Sequence, residues 1–190
     1  MGASLHDCKA PDDLRTNFGA VKALYMTKGD RPDPSTYLSK EYIDAHMKKF
    51  EDGAAFIKTK QKFENHSEVG HSASFVSNIE NIERVVREAK KYNTSEEQIK
   101  YIEKKLGFDK GYLGSKTEEF YIIYLKPEQI KNPRIPDGNA KGANEFWIPG
   151  GCTASEDAMG IPEIVIDCSE LSTELFDQNY NNLLPLSNFK

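Results

Sequence analysis

The arrangement in this chain best suited to chemistry is an acid between a permissive loop and a stiff strand. Glu145 follows the Gly/Asn-rich run Gly138-Asn139-Ala140-Lys141-Gly142-Ala143-Asn144 and leads into Phe146-Trp147-Ile148, which ends at the turn Pro149-Gly150-Gly151. Glycine lets a backbone approach a ligand closely, and a strand fixes a carboxylate so that it can stabilise positive charge developing in a transition state. Glu145 is therefore the candidate catalytic residue. Arg31 stands in the Pro-stiffened run Lys28-Gly29-Asp30-Arg31-Pro32-Asp33-Pro34, where a permanently charged fork suits bidentate phosphate binding; Lys28 is the alternative cation. Ser77, closing Ser74-Phe75-Val76-Ser77, places a hydroxyl at a strand-to-helix junction.

The other reactive side chains point to less. His46 lies at the polar-apolar boundary of a helix and is expected to be an interior, hydrogen-bonded imidazole. His66 and His71 have no cysteine or paired acid at ligand spacing, so no metal site is expected. Cys8, Cys152 and Cys168 are too scattered for a disulfide framework; they read as ordinary thiols in a reduced compartment, with a Cys152–Cys168 bridge as the alternative. A metal-independent RNase, using His46 or His71 as base and Lys58, Lys60 and Lys62 as a groove, is one competing reading. A non-enzymatic binding module anchored by Phe146-Trp147 is another.

The elements that must position these residues follow from pattern. Residues 1–19 are polar and aperiodic, an N-terminal arm, and residues 20–190 form one domain. Short strands are expected at Ala20–Met26, Ala54–Ile57, Ser72–Ser77, Phe120–Leu125, Glu145–Ile148 and Glu163–Asp167. Helices are expected at Ser39–Glu51, from Ile43, Met47 and Phe50 on one face, at Ile79–Tyr92, and at Ser95–Leu106, started by a capping box of Thr94 with Glu97 or Ser95 with Gln98. The tail beyond Cys168 has only weak periodicity. The fold class is α+β: a split, mostly antiparallel β core with helices outside it.

Composition narrows the function. With 38% hydrophobic and 11% aromatic residues the 190-residue chain should fold, and its longest apolar runs are strand-length, so no membrane span is expected. A net charge of −5 without a dense Lys/Arg block argues against strong nucleic-acid binding. No apolar run after Met1-Gly2 suggests a secretory signal.

Taken in order, Leu24-Tyr25 through Arg31-Pro32, Ser74-Phe75-Val76-Ser77, Phe120–Tyr124 and Glu145-Phe146-Trp147-Ile148-Pro149-Gly150-Gly151 resemble the ADP-ribosyltransferase superfamily of cholera- and pertussis-toxin type. The resemblance spans Leu24 to Asp167. It implies that NAD is the substrate, that Glu145 and Ser77 are the catalytic pair, and that Tyr25, Lys28, Arg31 and Ser77 bind the dinucleotide. Met26 stands where the family carries its first Arg, which moves phosphate binding to Arg31 or Lys28; Ala143, two residues before Glu145, implies an acceptor other than arginine. The implied protein is a bacterial toxin or effector delivered to a target cell's cytoplasm. It would pass ADP-ribose to a macromolecular acceptor, or act as an NAD glycohydrolase on the same scaffold, and could have an immunity protein as partner.

Overall fold

A computed structural model describes residue 14 and residues 16–114, 119–153 and 160–190; Cys8, most of the expected arm and part of the loop before Gly160 lie outside these. The strands are β1 (Ala54–Thr59), β2 (Ser74–Ser77), β3 (Phe120–Leu125), β4 (Trp147–Ile148), β5 (Cys152–Thr153), β6 (Ile161–Ile166) and β7 (Leu183–Pro185). They form a seven-stranded sheet in the order β4-β5-β6-β2-β1-β3-β7, antiparallel throughout. The helices are α1 (Phe18–Tyr25), α2 (Lys40–Lys48), α3 (Lys60–Glu64), α4 (Ile79–Ala89) and α5 (Ser95–Leu106). None among the described residues is long and apolar enough to cross a membrane.

The unbroken apolar run of β3 reflects burial on both faces. Phe120 and Ile122 join Val85 and Val86 of α4 and Ile102 of α5 in one cluster, while Tyr121, Ile123 and Leu125 join Phe50, Phe63, Ile164 and Ile166 in another. The strand β6 divides its outer edge. Ile161 and Pro162 pair with β5, whereas Val165 bridges Arg134, so two chain segments share one strand edge. β7 covers the free edge of β3, with Pro185 opposite Tyr121, the edge position that proline tolerates.

The expected strand at Ala20–Met26 is corrected to the helix α1. Asn17 Oδ1 accepts from Ala20 N at 2.9 Å, and Ala20 and Ala23, three residues apart, are both fully buried. A side-chain cap and a helical burial spacing override the strand propensity of Val21, Leu24 and Tyr25. The Thr94/Glu97 capping box is present, and Gly107 ends α5 in the left-handed region at φ 66°. The last expected strands shift: β4 starts at Trp147, leaving Glu145 in the preceding turn, and β6 starts at Ile161. Both cysteine readings are corrected too, since Cys152 is disulfide-bonded while Cys168 is a free, buried thiol packed beside Gly70.

Because Ile122 is fully buried at the centre of β3, Ile122→Ala is expected to cost about 2–5 kcal/mol of stability, read from the midpoint of urea unfolding.

Candidate active site

Three segments far apart in the chain meet around Trp147. The Arg31 guanidinium lies over the indole, 4.2 Å from its centroid, and donates through Nη1 to Gly138 O at 2.7 Å and through Nε to Met26 O at 3.2 Å. Lys28 Nζ donates to Ala143 O at 2.6 Å and Lys141 O at 3.1 Å. Asn139 closes the seam: its Oδ1 accepts from Gly29 N at 2.8 Å, and its Nδ2 donates to Arg31 O at 2.8 Å. Gly138 has φ 80°, and a Cβ there would come within 2.6 Å of both Arg31 Nη1 and the Trp147 ring, so only glycine fits. Trp147 Nε1 donates to Pro136 O at 3.1 Å, and Trp147 is buried with Ala23 and Ala143, with Phe75 of β2 packed against them.

Arg31 and Lys28 thus hold the Gly138–Asn144 loop with the donors that sequence reasoning reserved for phosphates. Burial lowers the Arg31 pKa from its usual value, with Asp137 and Tyr37 opposing that shift. Tyr37 is raised, first by burial and then by Asp137 and Asp33, and its hydroxyl has no hydrogen-bond partner among the described residues. Tyr25 is 82% exposed at the end of α1, one residue before the Met26 carbonyl that Arg31 holds.

Glu145 is exposed in its turn. Its neighbour Asn144 anchors that turn to the end of α5 by donating to Gly107 O at 2.8 Å. Gly107 is also where this loop meets β5, because a Cβ there would contact both Phe146 and Thr153. Ser77 is buried and donates to Pro162 O at 2.6 Å, tying β2 to β6.

A second carboxylate stands directly opposite Ser77. Glu163 is its partner across the β2–β6 ladder, so the two side chains share a face. Thr153 Oγ1 donates to Glu163 Oε2 at 2.6 Å, Glu163 N donates to Gly151 O at 2.8 Å, and His46 Nε2 donates to Glu163 O at 2.9 Å. Burial pushes the Glu163 carboxyl up to about 7, against the hydrogen bond from Thr153. His46 is interior and bonded, as its helix position suggested, and burial pushes it down to about 4. With Nε2 donating, its unprotonated Nδ1 is left buried without a partner.

A cleft of about 510 Å³, the size of a small-molecule site, opens nearby. Its polar lining comes from Asp33, Ser35, Arg134, Asp137 and Asn139, and Ile43, Met47 and Val165 supply apolar wall. Val165 lies two residues from Glu163 on the same face of β6. Sequence reasoning passed over Arg134, an exposed arginine between two prolines; only its bridge to Val165 brings it to the cleft. Among the described residues no group of three or more His, Cys, Asp or Glu could hold a metal ion. No protein-family model, curated protein or solved structure matches the chain.

Two outcomes follow from these contacts. Arg31→Ala is expected to cost about 2–3 kcal/mol, from the lost cation–π stack and charged hydrogen bonds, and to speed amide hydrogen exchange across residues 138–147. Glu163 keeps its proton to about pH 7 when folded but loses it near 4.5 when unfolded, so the stability it contributes below 4.5 is lost as pH rises through 7. His46 acts in the opposite sense, losing its contribution as pH falls from 6.5 to about 4. The wild type minus Glu163→Gln difference cancels His46, and that difference is expected to fall by about 1–3 kcal/mol between pH 4.5 and 7 in parallel urea titrations.

Proposed function

We propose that this protein is an NAD-consuming enzyme of the ADP-ribosyltransferase kind, with an ADP-ribosyltransferase-like arrangement of its α+β fold, which passes ADP-ribose to a macromolecular acceptor. The observation that carries this reading is the convergence at Trp147. The Leu24–Pro32, Ser74–Ser77 and Glu145–Gly151 segments resemble that superfamily in sequence and are separated by tens of residues, and Arg31 and Phe75 from the first two pack against Trp147 of the third. The reaction breaks the bond between nicotinamide and ribose, and a carboxylate facing the ribose stabilises the positive charge that develops. Two acids are candidates for that role, Glu145 exposed in the turn before Trp147 and Glu163 on the strand opposite Ser77.

With Arg31 and Lys28 held by backbone carbonyls, Arg134 is the cation for the pyrophosphate, the one positive side chain among the described residues lining the cleft. It already donates to Asn132 O and Ser72 O, which fixes its plane and leaves further N–H groups for a phosphate. On this reading the protein is a toxin or effector acting in a target cell, and an immunity protein is its expected partner.

For the RNase alternative, Lys58 Nζ donates to Val69 O, Lys62 lies over the Tyr112 ring and His46 is buried, which leaves exposed His71 as its only base. The binding-module alternative loses Trp147, which is 4% exposed, and keeps only a half-buried Phe146 of its anchor.

Nicotinamide release from NAD, followed chromatographically, tests the proposal; sustained release by the purified protein is expected, and none would contradict it. Arg134→Ala is expected to raise KM for NAD about 10-fold or more with little change in kcat, the signature of a lost charged contact in the ground state and transition state alike.

A further inference from the structure

We infer that Glu163, held between Thr153 and Ser77, is the carboxylate that faces the reacting ribose, an assignment that rests on the NAD-cleaving reading above. Transition-state stabilisation requires a charge fixed before the reaction begins. Glu163 meets that requirement. Its N–H and carbonyl are bonded to Gly151 and His46, and one carboxylate oxygen is held by Thr153. The other oxygen, Oε1, takes no hydrogen bond among the described residues, and the side chain is only partly buried, so an acceptor remains for a ribose hydroxyl. A Cβ at Gly151, which has φ 78°, would come within 2.6 Å of His46 Nε2 and 3.1 Å of Glu163 O, so the turn after β4 is shaped around this carboxylate's backbone. Glu145 has none of these constraints: it stands exposed in a turn.

In the reaction, the bond from ribose C1′ to nicotinamide nitrogen breaks, and its electron pair goes to the pyridinium, which leaves neutral. The ionised Glu163 faces the cationic ribose from a partly desolvated position, where a charge acts more strongly than in water. The incoming oxygen forms the new bond to C1′, and its proton passes to the carboxylate and then to solvent. Among the described residues bonded to Glu163 the one titratable side chain is His46 of α2, which is neutral and donates to the Glu163 carbonyl, while Thr153 of β5 donates to its carboxylate and Ser77 of β2 stands opposite it.

The test is nicotinamide release by wild type, Glu163→Gln, Glu145→Gln and Thr153→Val, each checked for folding by circular dichroism. Glu163→Gln is expected to lower kcat on the order of 10²-fold, and more than Glu145→Gln does, with KM for NAD little changed. In wild type, kcat should rise with pH through about 7 as the carboxyl ionises, and Thr153→Val, which removes a hydrogen bond to the ionised form, should move that rise to higher pH. If the wild type cleaves NAD and the larger loss falls on Glu145→Gln, or the pH limb is unmoved in Thr153→Val, the assignment is overturned while the reading of function stands. If the wild type releases no nicotinamide, the functional reading itself fails. Should Glu163→Gln not fold, the wild-type and Thr153→Val pH profiles decide.

Discussion

The seating of Trp147 is the constraint on which the rest of this site depends. A single indole packs against the Arg31 guanidinium, the bare Cα of Gly138 and Phe75. Arg31 and Phe75 come from parts of the chain distant from Trp147, and Phe75 reaches it from β2. The hydrogen bonds of Lys28 and Asn139 then convert a flexible Gly/Asn-rich loop into one with a single path. A loop of that composition loses much entropy on ordering, and the compensation comes from charged hydrogen bonds to carbonyls.

The strand β6 carries the complementary half of the site. Its outer edge is shared by β5 and by the segment around Arg134. Val165 lines the cleft, and Glu163 lies two residues before it on the same strand. A carboxylate there sits among Ser77, Thr153 and apolar neighbours, and burial raises its pKa with only the Thr153 hydroxyl to offset it. Such a group costs stability near neutral pH, and that cost is what a structural role would have removed by substitution. Placing it opposite Ser77, on the strand whose Val165 lines the cleft, fits a functional group held at a cost in stability.

Much of this was legible in the sequence where one physical rule acts locally. The helix α5 follows from its capping box and terminal Gly107, and β3 from a β-branched and aromatic run. The segments meeting at Trp147 were also visible as motifs, but their roles were not. Arg31 reads as a phosphate fork because its type permits it; that its donors are spent on Gly138 and Met26 depends on contacts more than a hundred residues away and on the path of one turn. Glu145 draws attention by standing beside glycines, whereas Glu163 looks like an ordinary strand acid until the register places it opposite Ser77. The helix α1 was misread because strand-forming side chains masked a cap at Asn17. β7 was invisible because a three-residue edge strand has too few positions to show alternation.

The central claim is that one site, built from the Trp147 loop, β2 and β6, receives NAD. Hydrogen exchange measured with and without a non-hydrolysable NAD analogue tests it most directly, because the readout is positional and independent of turnover. The account predicts slowed exchange in residues 138–147 and in β6, with the α1 face around Phe18 and Tyr25 unaffected. Protection confined to other segments, or none at saturating analogue, would contradict it.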